Sequence, residues 1–203
     1  MNGKRRTAAI TGATMMLAAA LLLSGCSTSS LSSQYEEGSN KGYISADGTV
    51  AEWPEAERGD PVDFTGVTET GETLTASDYR GSVVVLNFWY AGCPPCRAEA
   101  PDLQELNEAY AGQKVAFVGV NVRDQASTAL SFSEEFGITY PSIVDVEDKA
   151  ASLALAGRAA PNAVPTTVVL DAEGRPAARI LGQIPNKSVL NTLIKDTLAE
   201  TTP

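Results

Sequence analysis

The stretch Phe88-Trp89-Tyr90-Ala91-Gly92-Cys93-Pro94-Pro95-Cys96 decides how the rest of the chain is read. An apolar run, Val83-Val84-Val85-Leu86, precedes it and reads as a buried strand, while a helix-prone segment, Arg97-Ala98-Glu99-Ala100-Pro101-Asp102-Leu103, follows it. Two thiols separated by two residues, at a strand-to-helix junction, are placed to make and break one disulfide. Cys93 is expected at the N-terminal end of the helix, where unpaired backbone N–H groups and the helix dipole favour negative charge. That position lowers a thiol pKa from about 8.5 toward roughly 3.5–7.5, which makes a thiolate available at neutral pH. Cys96, one turn into the helix, is close enough to close a disulfide on Cys93 and is expected to be the shielded partner.

Other uses of the pair are weaker. A zinc site needs four N, S or O ligands. This chain has no histidine and only one further cysteine, Cys26. Two inert buried thiols do not explain the flanking strand and helix, whereas a CxxC beside a β-then-α pattern is the mark of a redox dithiol. No metal and no cofactor is implied, because the cysteines carry the electrons themselves.

Working outward, Val62-Asp63-Phe64-Thr65-Gly66-Val67 alternates like a strand, and Glu69-Thr70-Gly71-Glu72 is a hairpin turn leading to Thr73-Leu74. A short helical turn over 74–81 ends at Gly81 and hands the chain to the central strand, 82–89. The helix after Cys96 is expected to reach about Tyr110, with Leu103, Leu106 and Tyr110 facing a core and Pro101 kinking it. Val115 to Val122 reads as the next buried strand, and Ala126 to Phe136 as an amphipathic helix closed by Gly137. Residues 140–145 form a short extended piece and Asp148 to Ala156 a further helix. Val164 to Leu170 and Pro176 to Leu181 are strands joined by the turn Asp171-Ala172-Glu173-Gly174, and Asn186 caps a last helix running to about Ala199. Strands alternating with helices predict an α/β domain, with a mixed central sheet covered by helices on both faces.

The N-terminal quarter reads differently. Lys4-Arg5-Arg6, an apolar stretch from Ala8 to Leu23, and small residues at Leu23-Ser24-Gly25-Cys26 form a secretory leader over 1–25. The apolar stretch is about sixteen residues long, short against the roughly 20 that a spanning helix needs. Residues 26–42, rich in Ser, Gly, Asn and Glu, read as a flexible tether. Residues 43–60 form an extension whose Tyr43, Ile44, Val50 and Trp53 lie against the domain, and 61–203 form the domain itself. The chain has 203 residues, 15 of them Lys or Arg and 25 Asp or Glu, a net charge of −10. Loss of the leader removes three cations and no anion, leaving −13. Such an acidic surface argues against nucleic-acid binding and against electrostatic attachment to anionic lipid.

The segments Val84-Val85-Leu86-Asn87-Phe88-Trp89, Cys93-Pro94-Pro95-Cys96-Arg97-Ala98-Glu99 and Val164-Pro165-Thr166-Thr167 together resemble the TlpA/ResA-like thiol–disulfide oxidoreductases, membrane-tethered members of the thioredoxin superfamily. The resemblance spans about 61–198. It implies a thioredoxin-like fold with an N-terminal β-hairpin and an inserted helix and strand at 126–145. It also implies that Cys93 attacks, that Cys96 resolves, and that Pro165 lies cis against the disulfide with Val164 offering its backbone to an incoming peptide. Glu99 matches an acidic residue placed near the thiols to move protons; read without the resemblance it is an exposed glutamate of a first helical turn. Asn87 stands where thioredoxin has a buried aspartate, and read alone it ties down backbone groups. Gly92 stands where the family often has Trp, which widens the groove. The start 1–26 is similar to a bacterial lipoprotein signal, with Cys26 lipidated and the protein held at the extracytoplasmic face of the cell membrane.

By the same resemblance the partners are disulfide-bearing exported proteins, apocytochrome c among them, and a membrane electron donor of the CcdA/DsbD type. A thiol oxidase running the same site backwards, and a binding lipoprotein with a static disulfide, are the rival readings. A peroxiredoxin-class peroxidase needs a threonine three residues and a proline seven residues before its nucleophile, where this chain has Tyr90 and Leu86.

Overall fold

The computed structural model describes Ser45, residues 48–157 and residues 161–201. The leader, Cys26, the tether, Tyr43 and Ile44 lie outside the described residues. Among the described residues, no helix is long and apolar enough to cross a membrane.

Eight strands and four α-helices follow one another as β1 (Val50–Glu52), β2 (Thr65–Val67), β3 (Thr73–Thr75), β4 (Val83–Trp89), α1 (Pro94–Ala109), β5 (Val115–Asn121), α2 (Ala126–Phe136), β6 (Ser142–Val144), α3 (Ala150–Ala154), β7 (Thr166–Leu170), β8 (Pro176–Leu181) and α4 (Lys187–Ala199). Six strands form one sheet in the order β1-β8-β7-β4-β5-β6, and β2 and β3 pair as a separate hairpin. β4 runs parallel to β5 and antiparallel to β7, so the sheet is mixed, as expected. The hairpin and the inserted pair α2 and β6 are also present where the resemblance placed them.

Every residue of β4 is buried, which is why its sequence is apolar at every position but Asn87 and shows no alternation. The two faces of the strand nevertheless serve different cores. Val84, Leu86 and Phe88 join Phe64, Leu74 and Leu155 under the hairpin and α3. Val83 and Val85 face Leu103, Leu106, Leu190 and Ile194 of α1 and α4. Asn87 and Trp89 continue this second face by the strand's period of two, and Trp89 lands in a third cluster with Cys93 and Cys96.

Several expected boundaries shift for identifiable reasons. The strand expected from Val62 begins only at Thr65, because Val62 instead donates its N–H to Gly174 O at 2.9 Å. The strand expected from Val164 starts at Thr166, after a cis Val164–Pro165 peptide. α3 is shorter than expected: Asp145 accepts the N–H groups of Ala151 and Ser152, and Lys149 enters with a left-handed φ of 56°. Pro101 lies inside α1, which continues past it to Ala109. In the 43–60 extension, Val50–Glu52 pairs antiparallel with β8 and so forms the sheet edge. Arg58, 3 % exposed, locks that segment by bonding Asp171 and Glu200.

Gly119 is fixed by close approach. A Cβ on Gly119 of β5 would lie 1.9 Å from Ser142 Oγ and 2.8 Å from Trp89 Nε1. Gly119→Ala is therefore expected to destabilise the fold by about 1–3 kcal/mol through overpacking. Urea denaturation reads this as a lower midpoint at an unchanged slope, and a midpoint matching the parent's would contradict the crowding argument.

Candidate active site

The site lies where β4 ends and α1 begins. Cys93 is the N-cap of α1, with Pro94 and Pro95 as its first two helical residues, and is disulfide-bonded to Cys96 across a Cα–Cα distance of 5.3 Å. Cys93 Sγ accepts the Cys96 N–H at 3.2 Å. In an N-cap the side chain ordinarily takes an N–H from the second or third helical residue. Here the second is Pro95, which has none. Cys96 supplies the only one of those two donors left, and the next N–H, that of Arg97, bonds Cys93 O at 3.1 Å.

Cys93 is 1 % exposed and Cys96 2 %. Only Cys96 was expected to be shielded. Cys93 is covered too because the pair sits in an apolar cluster with Trp89, Ala100 and Phe132, against which Tyr90, Ala91 and Val164 pack. Trp89 and Phe132 rings lie 4.2 Å apart, and Trp89 Nε1 donates to Ser142 Oγ at 3.1 Å, so the indole next to the thiols is held on two sides. Val164 and Pro165 open β7, and the inward packing of Val164 brings that end of the strand to the disulfide.

Glu99 is not the exposed first-turn glutamate that it resembles when read alone. It is 2 % exposed. Its Oε1 accepts Asn87 Nδ2 at 2.8 Å and its Oε2 accepts the Ile184 N–H at 3.0 Å. Burial, only partly offset by those two hydrogen bonds, pushes its pKa up to about 7. Asn87 also donates to Thr167 Oγ1 at 3.1 Å, directly across the β4–β7 register. Its side-chain amide is thus bound to side chains of two elements, not to backbone. Tyr140, raised by burial and then by the charge of Glu99, completes the inner wall. Behind Cys96 a cavity of about 10 Å³, lined by Asn87, Ser133, Tyr140 and Ser142, is of the size that holds one water. Ser133 Oγ, buried there, has no hydrogen-bond partner among the described residues.

Three contacts around the loop before Cys93 had no sequence signal strong enough to find them. Asp124 Oδ2 accepts the Ala91 N–H at 2.6 Å, Arg97 reaches Ala91 O at 3.4 Å, and Arg123 stacks over Tyr90. Asp124 and Arg123 lie some thirty residues away in sequence, and only the parallel pairing of β4 with β5 brings them there.

A buried redox-capable disulfide at a helix N-cap, with a carboxyl held beneath it and a cis proline opening the facing strand, invites comparison with known proteins. A family model described as AhpC/TSA matches residues 59–176. The chain belongs to the AhpC/TSA family. The thiol-disulfide oxidoreductase ResA of Geobacillus kaustophilus is 33% identical over 127 residues, 63% of this chain and 70% of that one. A DsbF homologue from Corynebacterium diphtheriae is 37% identical with a TM-score of 0.65, covering 75% of this chain and 96% of that structure. A secreted thiol-disulfide isomerase from Corynebacterium glutamicum is 36% identical, also at 0.65, over 76% and 96%. This protein is therefore a thioredoxin-like thiol–disulfide oxidoreductase. Family membership does not bring back the peroxidase reading, because Leu86 and Tyr90 still occupy the positions that chemistry needs.

Glu99 makes the site's electrostatics measurable. Its folded pKa lies above the ordinary 4.5, so the protonated form is favoured by folding. Stability from this group is full below about pH 4.5 and is lost as pH rises through about 7, by up to about 3 kcal/mol. In Glu99→Gln this loss should vanish. Asn87 can reverse its amide to accept from the new Gln Nε2, so the variant is expected to fold. Denaturation of both proteins from pH 4 to 8 checks this, and parallel stability curves would refute the buried-carboxyl assignment.

Proposed function

We propose that the protein is an extracytoplasmic disulfide reductase, held to the membrane through Cys26, that delivers electrons to disulfides of exported proteins. The observation that carries the direction is the single donor at Cys93. A thiolate at a helix N-terminus is stabilised chiefly by the N–H groups aimed at it, and a dithiol whose reduced form is well stabilised is an oxidant. With Pro94 and Pro95 silent, Cys93 receives one N–H, from Cys96. Its apolar surroundings disfavour the thiolate further. Both effects favour the disulfide over the dithiol, so the dithiol gives its electrons away.

The steps follow from thiol–disulfide exchange. The Cys93 thiolate attacks one sulfur of a client disulfide; a Cys93–client bond forms and the client's other sulfur leaves as a thiolate. Cys96 loses its proton and attacks Cys93 Sγ, forming the Cys93–Cys96 disulfide and releasing the second client thiolate. Two electrons pass to the client, and two protons restore its thiols. Glu99, with a pKa near neutrality and buried beneath the pair, is the group suited to take and return the Cys96 proton. Val164, just before the cis proline, offers its backbone to the client strand. Likeness to ResA supports apocytochrome c as a client and a CcdA/DsbD-type membrane protein as the source of electrons.

Localisation rests on the leader over 1–25, on the small residues before Cys26, and on a similar protein being named as secreted. In a bacterial host the full-length chain is expected in the membrane fraction, and Cys26→Ser in the soluble exported fraction. An unchanged distribution would remove the lipid anchor from this reading.

The reduction potential of the Cys93–Cys96 couple decides the direction. Equilibration of the full-length chain in graded dithiothreitol buffers, followed by tryptophan fluorescence, should give a value below about −230 mV, toward the roughly −270 mV of thioredoxin. A value near about −120 mV would make the protein a disulfide donor. Pro95→Ala restores an N–H at the second helical position and should raise the potential by about 30 mV or more, the equivalent of one hydrogen bond to a charged sulfur. No rise would remove the prolines from the explanation.

A further inference from the structure

We propose that Arg123, braced on the ring of Tyr90, selects clients that carry a carboxylate side chain beside the cysteine presented to Cys93. The inference rests on the reading of Cys93 as a thiol that exchanges with protein disulfides.

Tyr90 is fixed relative to the reacting sulfur, since its carbonyl accepts the Cys93 N–H at 3.1 Å. The Arg123 guanidinium carbon lies 4.0 Å from the centre of the Tyr90 ring, a cation–π stack on the loop that leads into the disulfide. The backbone beneath Arg123 is equally constrained. Asn121, 0 % exposed, accepts the N–H groups of Arg123 at 3.1 Å and Asp124 at 2.7 Å through Oδ1. The arginine is exposed yet held at both ends, so little side-chain freedom remains to be lost on binding.

The neighbouring charges are committed. Arg97 pairs with Glu135 and lies 4.8 Å over the Phe136 ring. The Asp124 carboxylate is turned inward to Ala91 N at 2.6 Å and Asn121 Nδ2 at 2.9 Å. Among the described residues, no carboxylate forms an ion pair with Arg123. Its N–H donors are therefore open to a carboxylate, which a guanidinium can bind through two parallel hydrogen bonds. Gly92, exposed and without a side chain, sits next to that ring: a Cβ there would lie 3.6 Å from Tyr90 Cε2. On a chain of net charge −10, an exposed cation stacked on the loop that leads into the disulfide is a local exception that an acidic segment can use.

The test uses the reduced full-length chain and two synthetic peptides with one internal disulfide, identical except for Asp or Lys beside the attacked cysteine. Uncharged hydroxyethyl disulfide serves as the control. The parent should exchange with the Asp peptide about two- to tenfold faster at low salt, and the ratio should collapse toward one in ~0.5 M salt. Arg123→Glu should invert the preference and Arg123→Gln should abolish it, with the control rate unchanged in both. Exchange in either direction passes through the same mixed disulfide, so the preference can be read whichever way electrons flow. Equal parent rates, or an Asp preference that survives in both variants, would overturn the proposal and leave the reductase reading standing. Absence of exchange with all three disulfides would overturn both.

Discussion

Strand β4 has no solvent face, and the site depends on that constraint. Its seven residues are buried between β5 and β7, with one core under the hairpin and α3 and another under α1 and α4. A strand gripped on both faces and both edges leaves the sheet at one fixed place and in one fixed direction. The chain turns there into α1, and the first residue past the turn is Cys93. The rigidity of the sheet thus becomes the positioning of a sulfur atom. The loop between, Tyr90 to Gly92, would be the loose link, but Asp124 from the end of β5 binds its amide and Arg97 from α1 binds its carbonyl.

The same alternation that divides the cores explains why a carboxyl sits below the disulfide. Asn87 belongs to the face of β4 that looks at α1, and Glu99 belongs to the stripe Cys96, Glu99, Leu103, Leu106 and Tyr110 on the helix, spaced by three and four. The two meet because both periodicities point inward at the same height. Ile184, in the connection between β8 and α4, supplies the second donor. The carboxyl is therefore satisfied in its hydrogen bonds but starved of water, so two donors set its geometry while burial raises its pKa.

Much of this was legible in the amino-acid order. The apolar run into Cys93-Pro94-Pro95-Cys96, the helix spacing after it, and Asn186 as a cap, which accepts Val189 N at 3.1 Å, are local signals and read correctly. The burial of Glu99 was legible in principle from the three-four spacing; a glutamate early in a helix reads by habit as a dipole partner at the surface, and the spacing outweighs that habit. The trimmed ends of β2 and α3 were not legible: a distant partner, Gly174 O, takes the Val62 N–H, and the Asp145 carboxylate, a side chain just before α3, takes its first free N–H groups. Nor were Asp124 and Arg123. A short Asn-Val-Arg-Asp run after a strand has no signature until parallel pairing sets it beside Tyr90.

The two prolines between the cysteines show why a helix N-terminus alone does not define redox character. The dipole offers Cys93 a partial positive charge in any such fold, but most of that charge resides in the first few N–H groups. Replacing two of them with proline nitrogen leaves the helix start intact, since φ near −65° suits it, while withdrawing the second-position N–H that could have bonded the Cys93 sulfur. The backbone thus keeps the geometry that closes the disulfide, and on the proposed reductase reading it loses the electrostatics that would make it easy to open. Burial of Cys93 among Trp89, Ala100 and Phe132 acts in the same sense. Each effect raises the free energy of the charged reduced form, and neither changes where the sulfur sits. In this fold the Cys93 sulfur is positioned by the sheet, and the two residues that follow it set which N–H groups can reach it.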